Sequence, residues 1–112
     1  MDVEIQQYKA EFFKVLAHPI RIRILELLRD GDKNVTELQM HTGVDSSAVS
    51  QQLGLLRNKN IVIGSKEGTK VTYTVKDPLI FDLLDVAKRI INHSLNDTIT
   101  LLQRMDQKQE EP

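Results

Sequence analysis

The stretch "GVDSSAVSQQLGLL", Gly43–Leu56, decides the fold. On a wheel turning about 100° per residue, Val49, Leu53 and Leu56 fall in one narrow arc and predict a buried stripe. Ser47, Ser50, Gln51, Gly54 and Asn58 fall on the opposite side. A solvent face would usually carry Lys and Glu, which favour helix and solubility. Here the outer face is uncharged and short, and Gly54 costs about 1 kcal/mol relative to Ala in a helix interior. Such a face suits insertion into a DNA major groove, where Ser, Gln and Asn can bond to base edges. The helix N-terminus also favours phosphate. Ser46, Ser47, Ser50, Gln51 and Asn58 are therefore the base-reading candidates. A poorly optimised surface helix would look the same in isolation, so the flanking sequence has to decide.

Upstream, "NVTELQMHTG" predicts a short helix. Asn34 caps it with Glu37 three residues on, Val35, Leu38 and Met40 point inward, and Gly43 ends it. Asp45 then caps the Gly43–Leu56 helix, which runs to about Asn58, and Asn60 is placed to take a left-handed conformation after it. Further upstream lie two helical patterns. One has apolar residues at Ile5, Tyr8, Phe12, Val15 and Leu16. The other starts at Pro19, presents Ile20, Ile24, Leu27 and Leu28 on one face, and stops near Gly31. His18 is read as helping that helix start, and His41 as closing the third helix.

Downstream, "IVIGSKEGTKVTYTV" is rich in β-branched residues, alternates at Val71, Tyr73 and Val75, and carries a turn at "KEGTK". It predicts a β-hairpin with Lys66 and Lys70 near its tip. After Pro78 a three–four apolar spacing runs from Ile80 through Leu84, Ala87, Ile91, Ser94, Thr98 and Leu101 to Met105. That helix would be about 40 Å long. Its apolar face is too large for its few neighbours in one chain, which points to a homodimer. The fold class is mainly α with a small β-hairpin: a winged helix-turn-helix in the order helix, helix, helix, helix, strand, strand, helix. One DNA-binding and dimerisation domain is expected over 1–106, with a frayed tail over 107–112.

Charge follows the same map. Residues 44–76 hold Arg57, Lys59, Lys66, Lys70 and Lys76 against Asp45 and Glu67, whereas residues 77–112 hold four basic and seven acidic side chains. Wing lysines beside a recognition helix can hold the phosphate backbone while the helix reads sequence. Arg57, Lys59, Lys66 and Lys70 are backbone candidates, and Arg21 is another, with a structural salt bridge as its alternative role.

Absent residues exclude chemistry. The 112-residue chain has no Cys, which removes disulfides, thiolate metal sites and cysteine nucleophiles. No apolar run reaches membrane-spanning length, and the N-terminus has no signal-peptide pattern, so a cytoplasmic protein is expected. No nucleotide loop or serine–histidine–acid pattern stands out, so an enzyme is not expected, and neither is a cofactor.

From about Phe12 to His93 the chain resembles the ArsR/SmtB family of small winged-helix repressors. "VLAHPIRIRILELL" looks like the family's second helix, "VTELQMHTGVDSSAVSQQLGLLRNKNIV" like its helix-turn-helix, and "KEGTKVTYTV" like its wing. Ser50, Leu53, Gly68 and Tyr73 stand at signature positions; Gln52 replaces a common histidine and Asn60 a common glycine. The resemblance implies a homodimer built on the first and last helices, with Tyr8, Phe12, Leu84, Ala87, Ile91 and Leu95 as interface candidates. It implies repression at a double-stranded DNA operator, relieved by an effector. Where relatives carry metal-binding cysteines, this chain has Gln39 and Met40. Of the last-helix metal pattern only Asp82 and His93 remain, with Ile80 and Asn96 at the other positions. They lie about 16 Å apart along one helix and could share an ion only between subunits. A solvated acid and an interface histidine are the simpler reading, so no metal site is expected, and the effector is an unknown small molecule or protein. Two alternatives remain: a winged helix that binds protein, and a metal-responsive repressor using Asp82 and His93.

Overall fold

The computed structural model describes residues 3–110. By contacts the chain divides into two units, Met1–Ile80 and Phe81–Pro112.

In the first unit, α1 is Val3–Leu16 and α2 is Pro19–Leu28. Only Leu16 of α1 is buried. His18 caps α2, its Nδ1 accepting from the Ile20 N–H at 3.1 Å, and Pro19 occupies the first turn, where no N–H is needed. At the other end the Lys33 Nζ donates to the carbonyls of Leu27 and Gly31, at 2.9 and 3.2 Å. The Leu27 carbonyl lies in the last turn of α2, where intrahelical donors run out. Ile24, Leu27 and Leu28 are buried as expected, and Leu25 is fully buried as well. A single stripe is too narrow for α2 because α3, α4 and β3 all pack on it.

A short strand, β1 (Lys33–Asn34), precedes α3 (Val35–Thr42). The capping box is present: the Glu37 N–H donates to Asn34 Oδ1 at 2.9 Å, and the Asn34 N–H donates to Glu37 Oε1 at 3.1 Å. Gly43 closes α3 in the left-handed region at φ 71°. Leu38 is fully buried and Val35 half-buried, but Met40 is 78% exposed, which corrects the inward reading. Two residues on from Leu38 is about 200° around the helix, so both cannot face one core.

Asp45 caps α4 (Ser46–Asn58), accepting from the Ala48 N–H at 2.9 Å. Val49, Leu53 and Leu56 have no exposed surface. Asn60 takes φ 61°, the Ile61 N–H reaches the Leu56 carbonyl at 2.9 Å, and the Asn60 N–H reaches that of Arg57 at 3.0 Å. These paired bonds are a Schellman termination, and they aim the chain from α4 straight into the sheet.

Strands β2 (Val62–Glu67) and β3 (Lys70–Val75) form the antiparallel hairpin. The sheet has three strands in the order β1-β3-β2, because Lys33 and Asn34 pair with Tyr73 and Thr72. The expected two-stranded wing is thus joined at its base to the segment between α2 and α3. Ile61, Val62, Tyr73 and Val75 close the core beneath it.

Helix α5 is Leu79–Glu110, with the Leu79 N–H donating to Asp77 Oδ1 at 3.0 Å. It is unbroken through Ser94 and Asn96 and through the start of the expected tail; residues 111 and 112 lie outside the described residues. In the second unit, taken by itself, none of the described side chains is buried. Ile90, Ile91, Leu95, Ile99, Leu101, Leu102 and Met105 are each at least half exposed.

Candidate nucleic-acid interface

The outward side of α4 is open. Ser46, Ser47, Ser50, Gln51 and Asn58 are all exposed, while the buried stripe of the same helix fixes the direction they face. At Gly54, in the middle of that side, an added Cβ would meet no atom within 4 Å, its own helix backbone aside. The cap on Asp45 uses the Ala48 N–H, so the serines at 46 and 47 keep the start of the helix small and polar.

Arg57 and Lys59 are exposed at the C-terminal end of α4, and Lys66 and Lys70 are exposed beside the hairpin turn. The ladder sets Lys66 opposite Val71 and Lys70 opposite Glu67. Lys70 thus has an acid directly across the ladder, the position at which side chains of an antiparallel pair can meet, and Lys66 does not. Gly68 takes φ 64° at the first turn position, as a two-residue hairpin loop requires. Arg21 is placed differently: it is half-buried in the first turn of α2, and its Nε is buried without a hydrogen-bond partner. On α4, Gln52 likewise has its Oε1 buried and unpartnered.

One part of the surface was not legible in the sequence. Pairing of β1 with β3 brings Asn34, Thr36, Thr69 and Lys70 to one open concavity of about 240 Å³. It links the start of α3 to the wing, two places far apart along the chain.

The interface candidates fall on both units. In the first, Tyr8 is 78% exposed and Phe12 lies at the margin of exposure. Both, with Val15 and Ile61, line an open groove of about 330 Å³ that also holds Glu11 and Lys59. In the second, Ala87, Ile91 and Leu95 are exposed and Leu84 is half-buried. Asp82 and His93 are both exposed on α5, and among the described residues no three His, Cys, Asp or Glu side chains converge as a metal ligand set would. No helix among the described residues is long and apolar enough to cross a membrane.

The chain has relatives among known proteins. The family described as "Bacterial regulatory protein, arsR family" matches residues 18–63, the span from the cap of α2 into β2. The HTH-type transcriptional regulator Rv0081 of Mycobacterium tuberculosis is 44% identical over 100 residues, covering 88% of each chain. The HTH-type transcriptional regulator NmtR of the same organism is 38% identical over 87 residues, covering 78% of this chain and 72% of its own. The crystal structure of Rv0081 superimposes with a TM-score of 0.78 at 45% identity, over 85% of this chain and 96% of that one.

Proposed function

The chain belongs to the bacterial ArsR family of transcriptional regulators, and from that premise we propose that it is a homodimeric repressor reading its operator through the outer side of α4. Ser46, Ser47, Ser50, Gln51 and Asn58 contact base edges. Lys66 and Lys70, with Arg57 and Lys59, hold phosphates. Arg21 contributes to the backbone only as far as its half-buried side chain reaches. The observation that carries this reading is the exposed, chargeless side of α4 in a chain whose hairpin presents exposed lysines beside its turn.

The dimer forms through the first and last helices, with Tyr8 and Phe12 on α1 and Leu84, Ala87, Ile91 and Leu95 on α5. The run of exposed apolar residues on α5 supports this, since a contiguous apolar face of that kind marks an association surface. Two-fold symmetry then sets two recognition helices about 34–36 Å apart, one turn of DNA. The chain works in the cytoplasm without a cofactor. Its effector does not bind through thiolates, because the chain has no Cys.

The test is selection of bound fragments from genomic DNA, followed by titration of the selected site and of random DNA. Gln51→Ala is expected to reduce the discrimination between them by about 1–3 kcal/mol for each base that Gln51 reads. An unchanged ratio would show that Gln51 does not read bases. Light scattering at micromolar concentration should give twice the chain mass; a monomer that still binds the operator would overturn the interface assignment. A titration repeated with divalent metal ions should leave operator affinity unchanged. Loss of affinity that depends on Asp82 and His93 would favour a metal-responsive repressor instead.

A further inference from the structure

The chain has five glycines, and four have a reason inside the fold. Gly31, Gly43 and Gly68 stand at positive φ, which side chains rarely adopt. At Gly64 a Cβ would lie 3.0 Å from Val71 Cγ1 and 3.3 Å from Tyr73 Cε1, closer than ordinary packing. Gly54 has neither reason. Its φ is not positive, and a Cβ there would meet nothing within 4 Å. Yet it sits mid-helix, where glycine is among the least favourable residues.

Nothing in the free chain therefore calls for glycine at 54, and the position lies on the side of α4 that carries Ser47, Gln51 and Asn58. We infer that Gly54 sets how closely α4 approaches the operator: the groove edge packs against the bare helix backbone at this residue, and that close packing determines specificity. This rests on the DNA-binding reading above. Ser50, one turn before Gly54, agrees with it by keeping that side of the approach low, while Gln51, Arg57 and Asn58, the other residues a turn away, are the side chains that would reach past the bare backbone to the DNA. Lys66 and Lys70, on the hairpin, hold phosphates whether or not the helix seats fully. Seating is thus a property of the specific complex alone.

The experiment compares the native protein with Gly54→Ala and Gly54→Leu for thermal stability and for affinity to the selected operator and to random DNA. In the free protein Ala should raise Tm by about 4 °C, since it fits the open space and favours helix. Operator affinity should fall about tenfold for Ala, as overpacking of a closed interface implies, and further for Leu. Affinity for random DNA should stay within about twofold, because phosphate contacts dominate non-specific binding. A native protein that binds the operator while Gly54→Ala binds it equally well would overturn this inference and leave the DNA-binding reading intact. So would a uniform loss on operator and random DNA alike. A native protein that binds no DNA would overturn both.

Discussion

Replacing Lys66 with alanine removes the hairpin cation that has no acid across the ladder. Lys66 stands opposite Val71, whereas Lys70 stands opposite Glu67, so the two lysines should not contribute equally. If the protein binds as the proposed dimer and Lys66 neutralises one phosphate per protomer, the Lys66→Ala variant leaves two phosphates without their lysines. Each neutralised phosphate contributes about 0.9 to the slope of log affinity against log salt, so the slope should flatten by about 1.8. Between 50 and 200 mM salt, a fourfold change, native affinity should then fall about tenfold more than that of the variant. Lys70→Ala should flatten the slope less, because Glu67 stands directly across the ladder from it. Glu67→Gln should tighten binding to every sequence. Fluorescence anisotropy with labelled operator and with random DNA, at several salt concentrations, measures all three. An unchanged slope in Lys66→Ala would refute the phosphate assignment. A loss confined to one DNA sequence would show instead that the wing reads bases.

Two further variants test how the interface is supported. Gly64→Ala should destabilise the protein by about 1–3 kcal/mol in chemical denaturation, because the new methyl meets Val71 and Tyr73 inside normal packing distance; an unchanged midpoint would mean that those side chains yield freely. Asp45→Ala removes the acceptor of the Ala48 N–H and should cost about 1 kcal/mol, seen as a lower denaturation midpoint with the fold retained.

The parts of the fold legible in the sequence share one feature: their determinants lie within a few residues of one another. The Asn34–Glu37 capping box, the Asp45 cap, the left-handed Asn60 and the buried trio Val49, Leu53 and Leu56 all follow from one helical turn or its ends. The exposed side of α4 was legible for the same reason, since burying one side of a helix fixes the direction of the other. Met40 departs from its expected place because it stands about 200° around the helix from Leu38, which takes the core position. Leu25 escapes a wheel because a wheel shows one stripe and cannot show that several elements surround α2.

The sequence by itself determined the order of elements, their caps, the buried face of α4 and the chargeless face opposite it, because backbone hydrogen bonding and side-chain periodicity act over short spans. Tertiary structure alone decided that Lys33 and Asn34 form a third strand against Tyr73 and Thr72, and that Glu67 stands opposite Lys70 while Lys66 does not face an acid. It also decided that a Cβ at position 64 would crowd Val71 and Tyr73, whereas one at position 54 would meet no neighbouring element. The reason is physical: strand register and side-chain clearance depend on which distant residues the packed core brings together, and a two-residue strand has no local pattern that could announce its partner.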